Sequence, residues 1–379
     1  MTTNTIKPGR AVEPGEGRAA PPGESQANRS GESPAVKQWH GQFAVKDRLN
    51  RPLRDLRISV IDRCNYRCPY CMPAEVYGEG HQFLPRSAWL TPGEIKRLGS
   101  LFLQLGVTKF RLTGGEPLLR RDLPEIVAGL AELPGVDDVA LTTNGTLLAQ
   151  QAKALRAAGL QRVTVSLDSV DEAVFRQMSG HRGELTNVLT GIEAALEAGF
   201  APLKLNVTVQ RGKNEAGVLD IVERFRGTGI IVRFIEYMDV GTLNGWRPED
   251  VVTSLELIER ISARWPVEAL ESNYRGEVAT RYRFLDGQGE IGFISSVSEP
   301  FCGDCHRARL SADGTLYTCL FAANGTNLRD VLRAGASDAE LIGLLQNLWR
   351  GRADRYSELR GRLRASSEPR RVEMYRMGG

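Results

Sequence analysis

The chain's 6 cysteines stand in two groups, Cys64, Cys68 and Cys71 spaced C-x3-C-x2-C, and Cys302, Cys305 and Cys319 spaced C-x2-C-x13-C. Soft thiolates this close together suit zinc or an iron–sulfur cluster. A structural zinc site closes with four ligands, and the only further candidate near the first group is His81, ten residues beyond Cys71. Three thiolates on a 4Fe–4S cluster instead leave one iron free to bind a substrate or cofactor. Around the second group more readings stay open. His306 follows Cys305 directly and could complete a zinc site, and Cys302 to His306 also spells the C-x-x-C-H haem-attachment pattern. Covalent haem requires export to an oxidising compartment. In a reducing compartment, cysteines serve metal or redox chemistry more often than disulfides.

A second set of residues carries charge in a regular pattern. Leu56, Ile58 and Val60 alternate with Arg57 and Ser59, and Phe110 and Leu112 with Lys109, Arg111 and Thr113. Val163, Val165 and Leu167 likewise alternate with Thr164, Ser166 and Asp168, and Leu205, Val207 and Val209 with Lys204, Asn206 and Thr208. Period-two geometry puts each polar set on one face of a strand. A barrel normally fills its interior with branched apolar side chains, and an unpartnered buried charge is costly. The pattern therefore predicts an interior built around a large anion, the alternative being an open half-barrel whose inner face is merely wet. Arg307 and Arg309, at i and i+2 on a segment read as extended, share a face and can grip phosphate in a bidentate way. Without such a ligand they would be a solvated surface pair.

The elements that must position these residues alternate. Strands are predicted at 56–61, 109–113, 139–143, 162–168, 203–209 and 231–237, with helices at 91–105, 123–133, 147–158, 185–198 and 215–226. Thr91-Pro92-Gly93-Glu94 has the form of a capped helix start with proline in its first turn. Regular alternation predicts parallel βαβ units. About six units give an α/β fold, a partial, open TIM-like barrel rather than a closed one. The first cysteine group then falls on the loop after the first strand, at the strand end where α/β folds place active sites. The expected division is a disordered tail at 1–45, the barrel at 46–240, and a smaller α+β extension at 241–379 carrying the second cysteine group. Within that extension a helix is predicted near 255–263 and short strands near 280–284 and 290–294. No Walker A or complete GxGxxG fingerprint occurs at a strand–helix junction.

At 379 residues with a net charge of +3, the chain gives no bulk argument for nucleic acid or an anionic membrane. No apolar run reaches the length of a membrane span. The first residues lack the apolar core of a secretory signal and are rich in Gly, Pro, Ser and charge. A cytoplasmic location is the expectation.

The motif C-x3-C-x-aromatic-C, here Cys64, Cys68, Tyr70 and Cys71 after a first strand, resembles the signature of the radical S-adenosylmethionine (SAM) superfamily. In that superfamily the open iron of a 4Fe–4S cluster binds the amino and carboxylate groups of SAM, and electron transfer yields a 5′-deoxyadenosyl radical. The segment Gly114-Gly115-Glu116-Pro117 resembles the one that holds the methionyl amino group, and the resemblance implies cofactor contacts at Tyr70, Gly115, Ser166 and Met238.

The second cysteine group with Arg307 and Arg309, and the terminal Gly378-Gly379, resemble a narrower branch. Its members cyclise GTP at the start of molybdenum-cofactor biosynthesis, and the likeness runs from about Leu53 to the last residue. It implies a second 4Fe–4S cluster on Cys302, Cys305 and Cys319 that holds the guanine. It also implies GTP contacts at Arg57, Lys109, Arg111, Thr142, Lys204, Arg307 and Arg309, with Arg233 added by strand parity. The catalytic set would be Cys64, Cys68, Cys71, Arg57, Arg307 and Arg309. Position 306, often Asn or Thr in that branch, is His here. The terminal glycines would thread into the active site. The expected partners are an external reductant, a second copy in a homodimer and a downstream cyclic pyranopterin monophosphate synthase, with no nucleic acid and no membrane. A peptide-modifying radical enzyme with an auxiliary cluster, and a non-catalytic metal-binding module, are the competing readings.

Overall fold

The computed structural model describes residues 44–363 and 371–378. The expected tail therefore lies outside the described residues except for its last two positions, as does Gly379. In chain order the strands are β1 (Asp55–Ser59), β2 (Lys109–Thr113), β3 (Asp138–Thr143), β4 (Arg162–Ser166), β5 (Lys204–Val209), β6 (Ile231–Glu236), β7 (Val267–Leu270), β8 (Thr280–Phe284), β9 (Glu290–Ile294), β10 (Arg307–Leu310), β11 (Thr315–Tyr317) and β12 (Thr326–Asn327). Among the described residues they form one sheet in the order β12-β11-β10-β1-β2-β3-β4-β5-β6-β9-β8-β7. The run from β10 through β1 to β6 and on to β9 is parallel throughout. Antiparallel strands finish both edges. The sheet is open, with β12 and β7 as its ends, as expected of a partial barrel.

The crossover helices α1 (Pro92–Gln104), α2 (Leu123–Ala131), α3 (Leu148–Ala157), α4 (Glu172–Met178), α5 (Leu185–Glu197) and α6 (Val218–Phe225) connect β1 to β6. Helix α1 starts as the sequence predicts. Thr91 Oγ1 accepts from Glu94 N at 3.2 Å, Glu94 Oε2 accepts from Thr91 N at 2.7 Å, and Pro92 fills the first turn. The apolar strand set meets the apolar helix faces in one core that includes Leu56, Ile58, Phe102, Phe110, Leu112, Leu130, Val165 and Val207. Burying that set is what forces the alternate residues, Arg57 and Arg111 among them, onto the other face.

Residues beyond 241, expected as a smaller extension, contribute to the same sheet. β9 pairs in parallel with β6, and β10 in parallel with β1. The strands at 280–284 and 290–294 lie where the alternation predicts them. Strand β10 was read only as an extended segment, because a four-residue run that begins on an arginine gives little strand signal. Its pairing with β1 puts Arg307 beside Asp55 and Arg309 beside Arg57.

Candidate functional site

The first cysteine loop leaves β1 and is held by buried polar contacts. Arg67 donates to Tyr77 O at 2.5 Å, Cys64 O at 2.8 Å and Tyr66 O at 2.7 Å, and so fixes the backbone around the thiols. Gly115 packs flat against the same loop. A Cβ there would stand 2.2 Å from Arg63 O, so only glycine lets the two chains lie together. Glu116 N donates to Arg63 O at 2.8 Å, and the Glu116 carboxylate accepts from Thr143 Oγ1 at 2.6 Å and from Asn144 N at 2.7 Å. Burial pushes that carboxyl up to about 7, and the hydrogen bonds it accepts oppose the rise. Tyr70 donates to Asp168 at 2.7 Å, and Asp168 also accepts from Thr208 N at 2.8 Å. Ser166 ends β4 beside Asn206 of β5, and Met238 follows β6, packed against the cluster of Val240, Phe321 and Tyr356 that Cys319 also meets. His81 is not turned to the thiols. It sits in an aromatic stack, its ring centroid 4.8 Å from Tyr77 and 4.6 Å from Phe83.

The second group precedes and follows β10. Arg307 and Arg352 reach Cys305 Sγ at 3.4 and 3.3 Å, and Phe321 N reaches Cys319 Sγ at 3.5 Å. Burial opposes ionisation of Cys305, but the guanidiniums of Arg307 and Arg352 outweigh it and hold the thiol down to about 6. Asp47 joins Arg51 (2.6 Å) to Arg352 (3.0 Å), all three nearly fully buried, and Arg51 reaches Cys302 O at 2.7 Å. Three thiols, with N–H groups aimed at the sulfurs of Cys305 and Cys319, fit an iron–sulfur cluster, whose bridging sulfides and thiolates take up such donors. His306 does not complete a zinc site. Its Nε2 pairs with Gly276 O at 3.1 Å and its Nδ1 lies 3.4 Å from Asp55.

Between the two groups runs a face rich in cations. The register sets Arg309, Arg57 and Arg111 side by side on β10, β1 and β2. Arg111 donates to Thr142 Oγ1 at 3.1 Å and to Thr164 Oγ1 at 3.4 Å, and Arg233 donates to Asn206 Oδ1 at 2.8 Å and to Thr164 Oγ1 at 3.4 Å. Arg162, also at this level of the sheet, is paired with Asp138. Burial, and then the neighbouring arginines, hold Arg57 well below its ordinary value. The same causes bring Lys204 down to about 8 and Arg233 to about 9. Such a cluster has few acidic partners of its own and is stabilised by a polyanion.

Residues 374–378 pack beside this space. Met377 is fully buried, Tyr375 stacks edge-on against Tyr77 at 4.9 Å, and Gly378 O accepts from Arg309 Nη1 at 2.7 Å. Strand parity and motif spacing pointed to the cations and thiols. Parity also put Asp168 on the polar face, but both signals missed Asn144 and the Asp47–Arg51–Arg352 cradle, which joins residues some 300 apart in the chain.

Comparison with known proteins gives two family matches, the radical SAM superfamily over residues 58–225 and Molybdenum Cofactor Synthesis C over residues 230–358. A GTP 3′,8-cyclase of Xanthomonas axonopodis pv. citri is 57% identical over 335 residues, covering 88% of this chain and 99% of that protein. A GTP 3′,8-cyclase of Staphylococcus carnosus is 44% identical over 337 residues, covering 88% and 99%. Among solved structures, Streptococcus suis SuiB bound to S-adenosylmethionine aligns with a TM-score of 0.53 at 15% identity, over 78% of this chain and 68% of that one. That last likeness is one of fold.

Proposed function

The chain belongs to the GTP 3′,8-cyclase family of radical SAM enzymes, and on that premise we propose how its own residues divide the work. The substrate is GTP, and the reaction joins ribose C3′ to guanine C8 to give (8S)-3′,8-cyclo-7,8-dihydroguanosine 5′-triphosphate, the first step of molybdenum-cofactor biosynthesis. The observation that carries this reading is the row Arg309–Arg57–Arg111, adjacent in register and lying between the two cysteine groups. When bound, a 4Fe–4S cluster on Cys64, Cys68 and Cys71 together with SAM supplies the hydrogen-abstracting carbon radical.

The residues then have separate tasks. Arg57, Arg307 and Arg309 clamp the triphosphate, with Lys109, Arg111, Thr142 and Lys204 completing the contacts. Cys302, Cys305 and Cys319 hold the second cluster, beside which the guanine lies. Gly115 brings its backbone up to the cofactor's methionyl group, and Tyr70, locked by Asp168, faces the same ligand with Ser166 and Met238. The buried segment ending at Gly378 keeps water out, which matters because a radical reacts with whatever lies nearest. A peptide-modifying enzyme has no use for these cations. The reaction runs in the cytoplasm in a homodimer, draws its electron from an external reductant, and passes its product to a cyclic pyranopterin monophosphate synthase.

The test is anaerobic incubation of the reconstituted protein with dithionite, SAM and GTP, following 5′-deoxyadenosine and nucleotide products by mass spectrometry. A cyclised nucleotide of unchanged mass supports the reading. SAM cleavage that never consumes GTP removes GTP as the substrate.

A further inference from the structure

One loop reaches from the β7 edge of the sheet across to strands in its middle. Residues 271–279 join β7 to β8 on one side, yet they touch β2 and the start of β10 on the other. Lys109 Nζ of β2 lies 3.8 Å from the centroid of the Tyr274 ring. Tyr274 and His306 meet ring to ring at 6.5 Å. Gly276 O accepts from or pairs with His306 Nε2 at 3.1 Å, and Arg275 bridges to Asp304 at 2.8 Å. The loop is braced internally, since Glu277 accepts from Asn273 N at 2.7 Å and from Asn273 Nδ2 at 3.1 Å. Gly276 has φ of +84° and sits so close to His306 that a Cβ would stand 2.5 Å from its ring. The loop conformation and the histidine are therefore fitted to each other. Beside the loop a cavity of about 310 Å³ is bounded by Ser272, Tyr274, Glu277 and Phe301, among others.

We propose that Tyr274 is a positioning residue for the triphosphate, its ring holding the Lys109 ammonium toward the cationic face while the 271–279 loop braces it from behind. An ammonium over an aromatic face is attracted by the ring quadrupole and kept from straying into solvent. A long lysine gives up much rotamer freedom when it binds phosphate, and a pre-held one gives up less at that moment. Tyr274 also lies close enough to Arg111 and Arg233 to interact electrostatically with both, which places the phenol at the edge of the same anion site. His306 supports the loop from the far side, which gives the imidazole at this position a role outside cluster ligation.

This inference rests on GTP being the substrate, and one experiment separates the two. Equilibrium binding of GTP and of guanosine is measured on the anaerobic holoenzyme, its Tyr274→Phe and Tyr274→Leu variants, and each of these in a Lys109→Met background. Tyr274→Leu is expected to weaken GTP binding about tenfold. Tyr274→Phe, which keeps the ring, should stay within about twofold. Guanosine binding should be unchanged in both, and Tyr274→Leu should add no loss once Lys109 is replaced. Equal weakening for guanosine, or an equal loss in the Lys109→Met background, would reduce Tyr274 to a structural part of the loop and overturn the proposal. Unchanged GTP binding in Tyr274→Leu would overturn it too, with the substrate reading intact. A wild-type holoenzyme that binds no GTP would sink both.

Discussion

The carbonyl oxygen of Gly378 accepts a 2.7 Å hydrogen bond from Nη1 of Arg309, so Gly378 is seated on the same arginine that the sheet sets beside Arg57. Gly378 has φ of +70°, and a Cβ there would meet Thr113 Cγ2 at 2.1 Å. Strain and clash act on a terminal segment, where the core can escape them. Gly378→Val is expected to leave the melting temperature within about 2 °C while lowering GTP cyclisation at least tenfold. Full cyclisation by this variant would show that docking at Gly378 is not needed.

The cationic face trades stability for binding, and Lys204 shows the sign of the trade. Burial, and then Arg233 and Arg162, lower its value from 10.5 to about 8. A base held below its unfolded value costs the folded state stability wherever it stays ionised. That cost is complete below about pH 8 and fades as the pH climbs toward 10.5. Lys204→Met should therefore raise the melting temperature at pH 7 by roughly 2–4 °C, with the gain shrinking at pH 10. It should also weaken GTP binding. A bound triphosphate favours the ionised amine, so wild-type binding at pH 8 should take up protons. Calorimetry in two buffers of different ionisation enthalpy reads this, and identical heats would contradict it.

Asp47 is the acceptor that makes the cradle of the second cysteine group possible. It serves Arg51 and Arg352, both nearly fully buried, and those two in turn hold Cys302 O and Cys305. Removing one partner of a buried ion network strands the other charges, at about 3–5 kcal/mol. Asp47→Ala should lose about that much in denaturant titration. It should also lose iron selectively from the second cluster, seen as retention of the first cluster's EPR signal alone.

The second trio is assigned to the nucleotide and the first to SAM, so the two activities should separate. Cys305→Ala is expected to release 5′-deoxyadenosine from SAM while producing no cyclised nucleotide. Normal cyclisation would take the second trio out of the chemistry.

How much of this was legible beforehand depends on the range of the signal. Strand parity is local, so Arg57, Lys109, Arg111 and Lys204 could be assigned to one face from the alternation around them. The same alternation located β2 to its residue limits. The Thr91–Glu94 capping box was readable for the same reason. What the sequence hid are long-range pairings. β10 lies beside β1 although about 250 residues separate them, and its four residues take strand geometry from that neighbour and from β11. Arg352 reaches Cys305 from just past the end of a distant helix, and Gly276 of the loop between β7 and β8 meets His306 just before β10. No periodicity encodes such contacts. The reading of residues 241–379 as an extension missed that they finish both edges of the sheet for the same reason.

In the proposed arrangement this face holds GTP with its ribose against the SAM site. The most direct test supplies GTP deuterated at C3′ to the anaerobic, reduced holoenzyme with SAM and reads the mass of the 5′-deoxyadenosine formed. Deuterium carried into 5′-deoxyadenosine, in step with cyclised nucleotide, is the predicted result. Unlabelled 5′-deoxyadenosine, with the GTP recovered intact from protein holding both clusters, would place the ribose away from the SAM site.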